Sequence, residues 1–387
     1  MGLYFSRNTK VFLQQGTTGT IWEIPVLDGF SFSQGVNSSE ISLTEAVKSA
    51  SVTKSRRSRR VFNDSYAPAE WSFSTYARPF QANPGETDGW EAGSSDANHH
   101  AVEEALWANF VCKASHTESN GSTESAWTPA NSIVNTTSNM TVSMVNSEVA
   151  ELGEFTLFFQ LEGDDKKVYK IAKCCVNEAT IDFDVDGITV INWSGFGNDI
   201  SNASDTQKVA DIKEEISSTD NYVRNRLTKL TITANDADVF PGNSGVYSAV
   251  LTGGSISFNN NISYLTAETL GRIDKPLGHV TGTRQTGGNF TAYLDGASNS
   301  VATLMKELID NDKLVTNSFK LEFEIGGTAT PNVKITMPQC HLEIPTHSIE
   351  DVISLDVTFN ALTSSYAPTA LANFDASIVY TGNANPS

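Results

Sequence analysis

The residue types best suited to chemistry lie in two short stretches. Asp182 to Gly187, read as Asp-Phe-Asp-Val-Asp-Gly, places three carboxylates on alternate residues ahead of a glycine, which is how a calcium-binding loop begins. Such a loop needs a bidentate Glu at its twelfth position, and that position is Trp193. On a β-strand the same carboxylates simply share one face, and Asp186-Gly187 suits a tight turn. In the second stretch His99 and His100 each stand four residues before a glutamate, Glu103 or Glu104, so a helix would bring imidazole and carboxylate together. A metal site needs at least a third converging ligand. None can be assigned, and the alternative is an exposed polar start to a helix.

Other fragments carry less. Ser244 sits in Pro-Gly-Asn-Ser-Gly-Val, a turn able to present a nucleophilic serine, but no His and Asp stand in a compatible context. The glycines of Thr281 to Gly288 lack the Lys-Ser/Thr that completes a phosphate loop. Neighbouring carboxylates leave a glycosidase formally open, without any pair that sequence can set at the required separation. The chain is therefore read as a non-enzyme with no cofactor and no metal. Cys112, Cys174, Cys175 and Cys340 show neither a Cys-x-x-Cys pair nor a His/Cys metal spacing, so free thiols are expected.

Charge narrows the partners. The chain of 387 residues has 26 basic and 45 acidic side chains, a net charge of -19. Tight nonspecific binding to nucleic acid requires Lys and Arg to displace counterions from phosphate, so DNA binding is not expected as the primary task. Against that background Lys54, Arg56, Arg57, Arg59 and Arg60 stand out as five cations within seven residues. They are read as a hairpin arm that reaches an acidic surface on another subunit, with a solvated loop or a localisation patch as alternatives. The first residues lack the apolar core of a signal peptide, and no uncharged run is long enough to cross a bilayer, so no membrane partner is expected. Met1-Gly2 with Ser6 fits the short myristoylation pattern, which is set aside.

The elements that must position these residues are mostly short strands rich in Val, Ile, Phe, Thr and Tyr, broken by Gly, Asn, Asp and Ser. In Gly29 to Gly35, Phe30 and Phe32 alternate with Ser31 and Ser33; in Gly254 to Asn260, Ile256 and Phe258 alternate with Ser257 and Asn259. Alternation sends the apolar set to a core and the small polar set to the opposite face. Two helices are predicted. One runs from the His99-His100 region through Val102, Leu106, Trp107 and Phe110 with Asn98 as cap, and the other carries Val301, Leu304, Met305 and Leu308.

The same landmarks occur twice in the same order, so the chain is read as a duplicated domain. The segment at Thr9 answers that at Thr228, and Gly29 to Gln34 answers Gly254 to Asn260. Phe73 and Tyr76 answer Phe290 and Tyr293, Phe155 answers Phe319, and Lys170 answers Lys334. The expected division is a first domain over residues 1–200, a linker over 201–225 with room for a short helix, and a second domain over 226–387. The first copy is longer by two polar stretches, about 81–97 and 114–145, which read as surface loops.

This order of elements resembles the tail tube proteins of long-tailed bacteriophages. The resemblance covers both halves and rests on element order and loose motifs. It implies two tandem β-sandwich or barrel domains, each with one helix and an extended hairpin arm. It further implies rings of subunits whose inner sheets join around a DNA channel, stacked into a tube; two fused domains imply a trimer of pseudo-hexameric symmetry. Ser31, Ser33, Ser257 and Asn259 would then face the lumen, and the five cations would contact the next ring. The implied partners are other copies of the chain and the tape-measure, baseplate and tail terminator proteins, in a virion assembled in the host cytoplasm. DNA passes without specific binding. A tube-end or baseplate ring is a second reading, and a carbohydrate-binding adhesin using Trp90, Trp107 and Trp127 is a third.

Overall fold

A computed structural model describes residues 4–16, 21–41, 47–48, 53–54, 60–82, 97–117, 126–129, 132–145, 152–163, 166–203, 212–213, 221–240, 242–265, 275–297, 299–310, 318–344, 346–348, 353–363 and 374–383. The fold is mainly β, as the alternating patterns require. In the first half the principal strands are β1 (Thr9–Gln15), β2 (Ile21–Ile24), β3 (Ser31–Ile41), β4 (Arg60–Tyr76), β5 (Met140–Val145), β6 (Phe155–Leu161), β7 (Lys167–Asp184) and β8 (Val190–Gly197). In the second half they are β9 (Lys229–Ala234), β10 (Val246–Asn259), β11 (Gln285–Tyr293), β12 (Phe319–Ile325), β13 (Asn332–Leu342), β14 (Thr346–Ser348), β15 (Ser354–Ala361) and β16 (Phe374–Thr381). Helix α1 (Glu104–Val111) belongs to the first half and α2 (Val301–Asp310) to the second.

The second half closes a six-stranded antiparallel barrel in the order β9, β10, β11, β15, β13, β12 and back to β9. The first half follows the same circuit as β1, β2 with β3, β4, β8, β7, β6, the separate strands β2 and β3 together taking the place of the single β10. Pairing agrees residue for residue: Val190 lies opposite Tyr76 as Ser354 lies opposite Tyr293, and Ser31 opposite Ser72 as Ser255 opposite Asn289. One sequence match slips. The repeat aligns Lys170 with Lys334, but Lys170 pairs with Phe158 where Thr336 pairs with Glu322, so the true equivalent lies two residues on. Lys-Ile begins both strings, but Leu161 pairs with Lys167 where Ile325 pairs with Val333, so the turn 326–332 is two residues longer than 162–166 and shifts the frame.

The two barrels join edge to edge where β7 pairs with β10, from Glu178 opposite Asn259 to Asp184 opposite Gly253. Gly254 permits this approach, since a Cβ there would stand 2.6 Å from the Asn289 carbonyl oxygen and 2.7 Å from the Phe183 ring. The result is one continuous sheet in the order β3, β4, β8, β7, β10, β11, β15, β14. A second join sets β5 of the first half against β16 at the end of the second, and β16 in turn against β13.

Several expected elements differ. Helix α1 starts at Glu104, because His99–Ala101 form a short strand against Pro79–Gln81. All eight residues of α1 are buried, against only Val301, Leu304 and Met305 in α2. Of the stretch 114–145, expected as surface loop, residues 126–128, 133–135 and 140–145 form strands that bury Trp127, Ile133, Met140, Val142 and Met144. Its Ser and Thr content hid alternate apolar residues that reach the core. In the connector the described pieces are the end of strand Asp199–Asn202, antiparallel to β7, strand Ile212–Lys213, parallel to β2, and residues 221–225, which lead into a 3-10 turn at Asn225–Leu227. Residues 83–96, and with them Trp90, lie outside the described residues.

Candidate functional site

The face of the continuous sheet that looks away from the barrel interiors is built by strict alternation. Phe32 stacks on Phe159 at 4.5 Å and Phe258 meets Trp107 at 5.7 Å, whereas Ser31 and Ser33 are exposed and Ser257 and Asn259 half-exposed on the other side. Neighbouring strands continue the pattern. Ser31 and Ser72 hydroxyls lie 2.9 Å apart, Ser74 donates to Asn192 Oδ1 at 2.6 Å, Asn192 donates to Asp182 Oδ2 at 2.7 Å, and Thr291 donates to Asp356 Oδ1 at 2.6 Å. These bonds hold the hydroxyls and amides against the sheet. The charged residues among them, Glu70, Glu178, Asp182 and Asp356, are all acidic, and none of the described face positions is Lys or Arg. Cations gather on the opposite wall, where Lys10 meets Glu23 at 3.1 Å and Lys334 meets Glu322 at 2.9 Å. Such a face repels phosphate weakly and offers no cation to retain it.

The arm carrying the basic run leaves this sheet between β3 and β4. Lys54 lies in the strand Thr53–Lys54, paired with Val47–Lys48, and Arg60 opens β4 opposite Ile41. Arg56, Arg57 and Arg59 lie outside the described residues. The opposite end of the sheet carries the turn between β7 and β8, where Asp184 and Asp186 are exposed, Gly187 adopts φ 101°, and Arg226 reaches Asp186 at 3.5 Å. The alternate carboxylates thus mark a turn, and among the described residues no group of three or more His, Cys, Asp or Glu converges as a metal site would. All four cysteines are buried thiols. Ser244 is exposed in a 3-10 turn at φ 59°. No helix among the described residues is long and apolar enough to cross a membrane.

The family model for phage tail tube proteins matches residues 36–361. The chain belongs to this family. Tail tube protein pb6 of Escherichia phage T5 is 30% identical over 379 residues, a match covering 94% of this chain and 74% of the relative. A tail tube protein is a structural component of the virion.

Sequence reading missed the polar cluster that binds the two halves of this tail tube protein together. His100 and Glu104, expected at an exposed helix start, are both wholly buried, with Nδ1 of His100 3.0 Å from Oε2 of Glu104. Trp127 donates to the other Glu104 oxygen at 2.9 Å. Burial alone pushes the Glu104 carboxyl up, but His100 and Trp127 hold it below its ordinary value. Trp107 donates to the Tyr380 hydroxyl of β16 at 2.7 Å, and Nε2 of His99 lies 3.3 Å from the Gly382 carbonyl oxygen. The cluster thereby ties α1 to the C-terminal strand. The signal available was the pairing of His-His with Glu-Glu beside a tryptophan; what was missing was the cover supplied by Trp127, Asn135 and β16.

Beside it, burial raises Glu103 to about 7, against its hydrogen bond with Tyr380 and the nearby Arg78 guanidinium. The folded chain therefore keeps a proton that the unfolded chain releases from about pH 4.5 upward. The stability this contributes is full below that range and is lost as the pH rises through 7. Thermal melts from pH 5 to 9 are expected to show a falling midpoint across pH 7, and Glu103→Gln should flatten that fall. An unchanged slope in the variant would remove Glu103 as its source.

Proposed function

We propose that this tail tube protein is the repeating subunit of a DNA conduit, in which three copies close a ring of pseudo-hexameric symmetry and rings stack into the tube. The observation that supports it is the sheet face shared by both barrels, small and polar, acidic where charged, and without a described cation. Curled into a ring, that face lines a lumen from which DNA slides, with Ser31, Ser33, Ser257 and Asn259 on its surface. The two tandem domains, divided near residues 201–225, take two of six equivalent places. Joining sheets between subunits would also protect strand edges that are hazards in an abundant β protein. The tape-measure, baseplate and tail terminator proteins are the expected partners, and assembly takes place in the host cytoplasm before the tube is incorporated.

The carbohydrate-binding reading loses two of its three tryptophans, because Trp107 and Trp127 are buried at 0% and 2% exposure rather than offered to a ligand; Trp90 lies outside the described residues. Electron micrographs of the purified chain, classified for symmetry, test the assembly. Hollow three-fold rings with six similar lobes are expected; two-fold or six-fold rings of whole chains would overturn the trimer.

Lys54, Arg56, Arg57, Arg59 and Arg60 are assigned to contact between rings, where like-charged rings need local complementarity to stack. Replacing all five by Ser should shorten tubes while leaving the unfolding free energy within about 0.5 kcal/mol, because a run this charged is expected to add little to a core. Tubes of unchanged length across a salt series would sink that assignment.

A further inference from the structure

The wall of a barrel that faces away from the shared sheet has an outer side, and in the second barrel that side is polar. Thr231 lies opposite Glu322, and Lys334 reaches Glu322 at 2.9 Å and Glu324 at 3.6 Å, all four partly open to water. The first barrel departs from this at the same places. By common register Phe12, Phe158 and Val168 stand where Thr231, Glu322 and Lys334 stand in the second. Phe12 falls between the core residues Val11 and Leu13, and Phe158 between Leu157 and Phe159, so alternation turns both out of the barrel. Yet Phe12, Phe158 and Val168, together with Ile21 of β2, are buried, in a cluster separate from the core. The four form a diagonal stripe, one residue to a strand, across β7, β6, β1 and β2.

Both ends of the stripe meet the connector. Ala203, which follows strand Asp199–Asn202, packs on the cluster, and its N–H donates to the Val168 carbonyl oxygen at 2.9 Å. At the far end Ile212 lies opposite Ile21. The path from strand Asp199–Asn202 through β7, β6, β1 and β2 to strand Ile212–Lys213 crosses five interstrand gaps, roughly 24 Å at the usual spacing. Residues 204–211 and their two flanking links can bridge at most about 30 Å. That length allows the diagonal and leaves nothing for a detour round the barrel.

We infer that residues 204–211 lie along this stripe, so that the connector is a belt seated on the outer wall of the first barrel rather than a free tether between the barrels. The run Ser204 to Asp211 holds Val209 and Ala210 among polar residues, a mixture suited to a segment with an apolar wall on one side and water on the other. The second barrel needs no such cover, because its wall is ion-paired and its strand β16 continues beside β13 to Thr381. On the tube reading above, the belt keeps Phe12 and Phe158 off the outer surface, where a bare apolar stripe would make tubes adhere side by side.

Tryptic cleavage after Lys208 of the folded chain, followed by mass spectrometry, tests the seat. Phe12→Thr with Phe158→Glu, which copies the residues of the second barrel, should free the connector and speed that cleavage about tenfold, because a protease cuts only chain that has left its seat. Val209→Ser with Ala210→Ser, which alters neither barrel, should do the same. Equal rates in the native chain and both variants would overturn the belt. Acceleration in only one variant would overturn it too, since a seat requires both surfaces. In electron micrographs the freed variants should show tubes packed side by side. Faster cleavage on well-separated tubes would leave the belt standing and remove its role at the tube surface. A native chain that protects Lys208 but forms no tubes would leave the belt standing and count against the tube alone.

Discussion

Phe258→Ala is expected to destabilise the chain by about 3–5 kcal/mol, the range for deleting a fully buried phenylalanine. Phe258 has no exposed surface and lies edge-on to Trp107 and Phe110 of α1, at 5.7 and 6.4 Å. Its strand, β10, belongs to the second barrel, while α1 belongs to the first. The cavity would therefore open between the two halves, where neither barrel can relax without disturbing its partner. Denaturant unfolding followed by tryptophan fluorescence gives the measurement, with Trp107 beside the lesion as the reporter. A loss below about 1 kcal/mol would show that the site collapses readily or that the strand faces the other way. Phe32→Ala should cost less, because Phe32 keeps part of its surface in water while stacked on Phe159 and Tyr169.

His100→Leu should cost a similar amount, about 3–5 kcal/mol, through a different cause. The substitution fills the volume but leaves the Glu104 carboxyl buried without the group that faces it at 3.0 Å. Trp127 and Asn135 remain as hydrogen-bond donors to it, which keeps the loss finite. The distinguishing result is the double variant His100→Leu with Glu104→Leu, which should recover part of the single variant's loss, since no charge is then stranded. A double variant worse than the sum of the singles would mean that volume, not charge, governs the site. In the folded chain Glu104 sits below its ordinary value, so its contribution is present above about pH 4.5 and lost as the pH falls through that lower value.

The sequence by itself determined what local periodicity determines. Two-residue alternation in Gly29 to Gly35 and Gly254 to Asn260 was enough to say which side chains share a face, and the repeated landmarks revealed two copies of one β design. Phe73 with Tyr76 against Phe290 with Tyr293 aligned correctly because aromatic residues two or three apart leave little freedom of frame. Lys170 against Lys334 did not, since the turn before it differs in length between the copies, residues 162–166 against 326–332, and a turn's length leaves no mark on the alternation of the strands it joins. Only the tertiary structure decided that β7 meets β10, that Asp182, Ser255 and Asn289 lie in one row, and that His100 and Glu104 are buried. Those facts depend on residues far apart in the chain coming together, and nothing in a stretch of polar letters states what will cover it. Burial belongs to the assembled surface, whereas the face a side chain takes is already set by its neighbours one and two residues away.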